Sequence, residues 1–344
     1  MKAMLLTRIA DLTREREPLI LADIPVPEPK QGEVLVKVSA CGVCHTDLDV
    51  IEGRTPPSKL PLVLGHQVVG RVAANGPAAG RFRPGDRIGI AWIHSACGEC
   101  RHCRSGNENL CDAFRATGRD ADGGYAEYAT VHERFAPAIP AVLSDIEAAP
   151  LLCAGAIGYR SLRLAEMQDG EPLGLIGFGA SGHLVLKMVR HRYPRSAVYV
   201  FSRTDGERRF ALELGARWAG AFDEKPPEQL RSAIDTTPAW GPVVAGLGNL
   251  ASGGRLVINA IRKEDGDKDA LLGLDYARDL WREKEIKSVA NITRKDVEEF
   301  LALAADIGLR PEVQEYGLEE ANAALRQLKE RRIRGAKVLC IDRP

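Results

Sequence analysis

PLGLIGFGASGHLVLKMVRHR, residues 172–192, decides the fold of this chain. The apolar run 172–178 predicts a short buried strand, and 182–192 has the spacing of a helix. Between them GFGASG (177–182) fits G-x-G-x-x-G. In that setting Gly177 serves a tight turn and Gly179 admits a pyrophosphate close to the backbone. Gly182 lets helix and strand pack closely, and the phosphates meet the N-terminus of the helix. The hexapeptide alone also suits a plain Gly-rich turn, so its flanks carry the dinucleotide reading.

Downstream, AVYVFSR (197–203) reads as the next strand, GERRFALELGA (206–216) as the next helix and GRLVINAI (254–261) as a later strand. Strands alternating with helices predict a parallel sheet covered on both faces. A site for NAD usually places Asp or Glu at the end of the second strand, about 20 residues past the fingerprint. This chain has Ser202 and Arg203 there. A hydroxyl and a guanidinium suit a 2′-phosphate, so NADP(H) is favoured. Asp205 keeps NAD(H) as the alternative, and a solvated loop arginine is the plain reading of Arg203.

Upstream, SDIEAAPLLCAGAIGYRSLRLAE begins with Ser144 and Glu147, a capping-box pair that predicts a helix start. Before it the texture is that of strands and turns. GEVLVKVSA (32–40) alternates as a half-buried strand should, IPVPEP (24–29) is too proline-rich for a central strand, and Pro84-Gly85-Asp86 marks a turn. Beyond 285 a helix-like RKDVEEFLALAADIG precedes a closing strand, GAKVLCID (335–342). The expected division is a β-rich domain over 1–150 and 290–344, and a dinucleotide-binding domain over 151–289.

The chain has 344 residues, enough for about two domains. With 45% hydrophobic and 27% charged residues it has the makings of a core in each, which argues against disorder. Its 47 basic and 47 acidic side chains cancel, which argues against a nucleic-acid or anionic-membrane partner. No run of about 18 apolar residues occurs, so no membrane span is expected. MKAMLLTRIADLTRERE turns charged too soon for a signal-peptide core, so a cytoplasmic location is expected.

Four of the 8 cysteines, Cys97, Cys100, Cys103 and Cys111, have the spacing C-x2-C-x2-C-x7-C. Without a secretion signal, metal is a better reading than disulfides. Four thiolates complete a closed tetrahedral zinc shell, so this loop (95–112) is expected to hold a structural ion. An iron–sulfur cluster is the rival. CGVCHTD (41–47), GHQ (65–67) and LLCAG (151–155) offer a second, dispersed set of soft ligands. Two Cys and one His would leave a fourth position open, as in a catalytic zinc site. On these residues alone, His66 as a satisfied core histidine and Cys153 as helix packing stand beside that reading.

Taken together and in order, CGVCHTD, LPLVLGHQVVGRV, RPGDRIGIAW, the four-cysteine loop, LLCAG, GFGASG and GAKVL resemble the zinc-type alcohol dehydrogenases of the medium-chain dehydrogenase/reductase family. The resemblance spans essentially the whole chain. It implies an α/β fold: a GroES-like β-rich catalytic domain plus a Rossmann domain with a doubly wound parallel sheet. It implies two zinc ions per chain, the catalytic one on Cys44, His66 and Cys153. Cys41 and Cys340 are then buried small side chains. Thr46 matches the hydroxyl that contacts the alcohol, His45 the basic residue near the pyrophosphate, and Asp47 the carboxylate that orients the ligand histidine. Trp92 matches a position lining the substrate pocket; a core tryptophan is its plain reading.

Four positions depart from the family pattern. Gln67 stands where Glu often follows the ligand histidine, and Asp49 replaces the histidine that often ends the proton relay. Ile157 replaces a threonine beside the nicotinamide. Ala336 replaces an arginine near the cofactor phosphates, for which Arg334 and Lys337 are the candidate substitutes. The activity implied is interconversion of alcohols with aldehydes or ketones by hydride transfer to or from a nicotinamide cofactor. The alternatives are a polyol or secondary-alcohol dehydrogenase using NAD(H), and a catalytically silent zinc- or nucleotide-binding sensor. A homo-oligomer, tetramer or dimer, is expected from the resemblance.

Overall fold

The computed structural model describes residues 1–330 and 335–342. The chain divides into two compact units, Met1–Ala156 with Ile292–Pro344, and Ile157–Asn291. The boundary falls at Ala156, later than the expected 150, and so Cys153 lies in the same unit as Cys44 and His66. Packing accounts for this: Gly89 abuts Leu152, and Gly155 abuts the ring of Phe300, all within the first unit.

In the first unit the long strand Glu33–Val43 is the hub. It pairs antiparallel with Ala336–Cys340, Val68–Asn75 and Tyr128–His132. The alternation expected for this strand is only partly realised. Lys37 is its one exposed residue, because apolar side chains cover both faces. A three-stranded sheet, Leu19–Asp23, Lys2–Leu6 and Leu62–Val63, lies in the same core. The segment 24–30 carries no strand, as its prolines require.

Ser144 starts the helix Asp145–Pro150, its Oγ accepting from the Glu147 amide at 3.2 Å. The helical path then widens into a π-type turn, Leu151–Gly155, and continues as Ala156–Ala165. A single regular helix was expected here; the wide turn breaks its phase at Cys153.

The second unit carries six parallel strands in the order Trp218–Gly220, Val198–Phe201, Leu173–Ile176, Leu230–Asp235, Leu250–Ile258, Glu285–Ser288. Numbered along the chain this is 3-2-1-4-5-6, the doubly wound order of dinucleotide-binding sheets. No helix of the described residues is long and apolar enough to cross a membrane.

Candidate active site

Three separate elements deliver the ligand trio. Cys44 precedes the helix His45–Ile51, and its amide donates to Asp47 Oδ2 at 2.9 Å. His66 follows Gly65, whose φ is +93°. A Cβ at Gly65 would stand 2.4 Å from the Tyr125 ring, so only glycine fits there. Cys153 comes from the wide turn. The ligand atoms of Cys44, His66 and Cys153 all lie within 4.8 Å of one another.

The histidine is held from behind. Asp47 Oδ1 lies 3.5 Å from His66 Nδ1, and Asp47 Oδ2 accepts from the Tyr125 hydroxyl at 2.9 Å. His66 Nε2 is buried and has no hydrogen-bond partner among the described residues. An imidazole with one nitrogen anchored on a carboxylate and the other bare toward two sulfurs is the arrangement of a metal ligand. Electrostatics agree. Burial would push the His66 imidazole down, yet Asp47 and then Cys44 outweigh it and raise it to about 10. The Cys44 thiol is drawn well below its ordinary value by the Cys153 hydrogen bond and by His66, against its burial. The pocket therefore calls for positive charge. With only three protein donors, a bound ion would keep a fourth position open.

Around the trio, Trp92 is buried and meets the His66 ring edge-on, with centroids 5.0 Å apart at 85°. Thr46 Oγ1 lies 3.6 Å from Cys44 Sγ. Asp49 is paired with Arg54 at 2.7 Å. His45 is exposed, and buried Gln67 packs its amide against Gly42. Cys41 is buried, its thiol pushed up by that burial, and Cys340 is buried beside Glu315. Tyr125 and Arg54 escaped the sequence reading, because nothing in their spacing ties them to the ligands.

The four loop sulfurs, Cys97, Cys100, Cys103 and Cys111, also lie within 4.8 Å of one another. A short turn, Arg101–Arg104, folds Cys103 back on Cys97, with the sulfurs 3.8 Å apart. Cys111 Sγ lies 3.5 Å from the same Cys97. Four soft donors converging on one point suit a closed zinc shell.

In the second unit the three glycines separate by role. Gly177 has φ +87°, and a Cβ there would strike Thr236 Oγ1 at 2.5 Å. A Cβ on Gly182 would lie 2.9 Å from the Gly177 carbonyl oxygen. Gly179 caps the helix Ala180–Arg192 and faces open space, where a phosphate can approach. At the end of Val198–Phe201, Ser202 is buried and donates its hydroxyl to Glu207. Arg208 donates to the Ser202 carbonyl at 2.6 Å and pairs with Asp205. Arg203 is exposed. Sequence reading missed Glu207 and Arg208, which the first turn of Asp205–Glu213 brings back over the strand end. Lys337 is not a phosphate ligand. It is 1% exposed, and its ammonium donates to Gln314, Tyr316 and Gln327 at 2.7, 2.8 and 3.1 Å. Arg334 lies outside the described residues.

Comparison with known proteins gives a consistent result. Residues 30–141 match the alcohol dehydrogenase GroES-like domain. The chain is 43% identical over 329 residues to a Mycobacterium tuberculosis protein named "Probable alcohol dehydrogenase AdhA", covering 94% of this chain and 93% of the relative. It is 33% identical to an alcohol dehydrogenase of Geobacillus stearothermophilus, covering 94% and 96%. Among solved structures, an NAD-dependent alcohol dehydrogenase superposes with a TM-score of 0.87 at 26% identity, covering 99% of this chain and 100% of the other.

Proposed function

This chain belongs to the zinc-type alcohol dehydrogenases of the medium-chain dehydrogenase/reductase family, and from that premise we propose that it interconverts alcohols with aldehydes or ketones using a nicotinamide cofactor. The observation that carries the reading is His66 Nε2, buried, bare and aimed among Cys44 and Cys153. Cys153 as third ligand weighs against a polyol enzyme, and the intact trio against a silent sensor.

Cys44, His66 and Cys153 would hold a zinc ion, which would supply Lewis-acid polarisation of the substrate oxygen. The four-cysteine loop would hold a second, structural zinc. A bound nicotinamide would supply the hydride chemistry. The protein's own side chains do the rest. Asp47, itself held by the Cys44 amide and Tyr125, fixes the His66 ring. Thr46 takes the substrate's hydroxyl proton. Thr46 and Asp49 are three residues apart on His45–Ile51 and share a face of it, so the proton passes on toward the Asp49 carboxylate, which Arg54 pairs with. Trp92, beside His66, narrows the pocket toward primary and unbranched or aromatic substrates. The turn Gly177, Gly179 and Gly182 receives the pyrophosphate at the start of the helix Ala180–Arg192.

Our reading favours NADP(H). Asp205 is taken by Arg208 and Glu207 by the Ser202 hydroxyl, while exposed Arg203 is left to meet a 2′-phosphate. Steady-state oxidation of NADPH and NADH with a panel of small aldehydes, before and after chelation, tests this. The expected result is faster oxidation of NADPH, abolished by the chelator. A preference for NADH overturns the Arg203 assignment and points to Asp205 or Glu207 at the ribose. Absence of turnover with either, in a folded zinc-loaded protein, overturns the activity. We place the enzyme in the cytoplasm as a dimer or tetramer. The exposed edge strand Glu285–Ser288 is the pairing surface, and light scattering reads its outcome.

A further inference from the structure

The helix Arg294–Asp306 touches both cysteine groups of the first unit. At one end is Glu108, which lies in the loop between Cys103 and Cys111 and is 2% exposed. Its Oε1 accepts from both the Arg294 amide and the Arg294 Nε, each at 2.9 Å. The same guanidinium lies 5.0 Å over the Phe135 ring and donates to the Arg134 carbonyl at 3.3 Å. Thr293 closes the helix start: its Oγ accepts from the Asp296 amide at 3.1 Å, and Asp296 Oδ2 accepts from the Thr293 amide at 2.8 Å. Thr293 and Asp296 are buried, so this end of the helix is fixed.

Two turns further on, Phe300 presses on Gly155. A Cβ at Gly155 would lie 2.1 Å from the Phe300 ring, so the ring sits directly on the backbone of the wide turn. That turn holds Cys153 two residues earlier. A second route runs beside the first. Ala91 and Ile93, the neighbours of Trp92, line a small cleft with Arg294, Thr293 and Val297. Trp92 in turn meets His66.

We propose that Arg294 is a positioning residue for the catalytic trio: through Glu108 and the helix that carries Phe300, it ties the four-cysteine loop to the placement of Cys153 and His66. The inference rests on the trio holding the catalytic metal. Its consequence is that the loop is more than a local staple. A loosened loop frees Arg294, relaxes Phe300 on Gly155 and loosens the ligand Cys153. Outer partners that orient metal ligands typically cost about 10–100-fold in metal affinity or activity when lost, and Arg294 belongs at the lower end of that range because it acts through two contacts.

The experiment uses the full chain loaded with cobalt(II) in both groups, as wild type, Arg294→Met, Glu108→Gln and Arg294→Lys. Release of cobalt to a chelator is followed by the sulfur-to-metal absorption bands, with total metal counted alongside. For Arg294→Met the expected result is about tenfold faster release from the trio, with a shifted trio spectrum, while the loop retains its ion. Arg294→Lys keeps the charge but not the fork, and should fall between Arg294→Met and wild type. Glu108→Gln loses the charge that holds the guanidinium, should speed trio release in the same direction by a smaller factor, and carries the test should Arg294→Met fail to fold. Unchanged trio release and spectrum in all three variants, with only a lower melting temperature, would overturn the proposal. Failure of the wild-type trio to bind cobalt would overturn the catalytic-metal reading itself, a separate result.

Discussion

Cys97, Cys100, Cys103 and Cys111 lie within one short stretch of chain; Cys44, His66 and Cys153 come from three distant segments, His66 buried and the two cysteines half-buried. The loop has few apolar contacts of its own, so its shape depends on what its sulfurs hold. The trio is shaped by the fold: Asp47 and Tyr125 behind His66, Trp92 beside it, and Phe300 on the turn of Cys153. The lesson is that one metal chemistry can be either the cause of a local structure or its beneficiary. Emptying the trio should therefore cost function without fold, whereas emptying the loop should cost local fold first and reach the trio only through Arg294 and Phe300.

The largest expected effect follows from His66→Ala. A Lewis acid supplies several kcal/mol of transition-state stabilisation, so kcat/KM should fall by about 10³-fold or more. Far-UV circular dichroism and the loop's metal should stay as in wild type. Retained turnover would remove the trio from the mechanism, and global unfolding would break the contrast with the loop. Next comes Cys103→Ser, which opens the four-sulfur shell. Metal analysis should show one ion fewer per chain, with faster proteolysis between residues 97 and 111 and a lower melting temperature. A variant as stable as wild type would mean that the loop needs no ion.

Asp47→Asn probes the trio's support rather than its ligands. The amide keeps the shape but loses charge behind His66, and catalytic-metal affinity should fall about 10–100-fold. Tyr125→Phe removes one hydrogen bond to the same carboxylate and should act in the same direction but more weakly. An effect of Tyr125→Phe as large as that of Asp47→Asn would show that the hydroxyl, not the charge, orients the imidazole.

The same contrast explains what could be read from the sequence. The loop was legible because its ligands are neighbours in the chain, and the dinucleotide turn because the flanks of GFGASG keep a clean strand-to-helix change of period. The trio needed the whole ordered set of motifs, since no local pattern joins Cys44 to Cys153. Tyr125, Arg54, Glu207 and Arg208 carried no signal, being brought to their sites by tertiary packing or by a helix's first turn. The central strand Leu230–Asp235 was missed because Arg231 and Ser232 break its apolar run. In the fold Ser232 is buried and satisfied by the Ala165 carbonyl at 2.9 Å. The wide turn at Cys153 was hidden for a related reason: its helix-like residues do not reveal a change from i→i+4 to i→i+5 bonding.

The smallest expected effect tests whether the loop has any support besides its sulfurs. Burial pushes the Glu108 carboxyl up, but the amide and guanidinium of Arg294 more than reverse this and hold it below the usual carboxylate range. A carboxyl depressed on folding stabilises the protein above its unfolded pKa, about 4.3 for Glu, and that contribution fades as pH falls through the lower folded value. Glu108→Gln keeps an acceptor but loses the charge, so it should cost about 1 kcal/mol at pH 7, the difference between a charged and a neutral hydrogen bond. It should cost less at pH 3, below the unfolded value, where the wild type has begun to lose the same contribution. Urea midpoints of the metal-loaded protein at the two pH values measure this. If the gap between variant and wild type is as wide at pH 3 as at pH 7, the pair contributes through packing rather than charge. The loop would then lean on the helix Arg294–Asp306 as a shape, and the line between a loop made by its metal and a trio made by its fold would be less sharp.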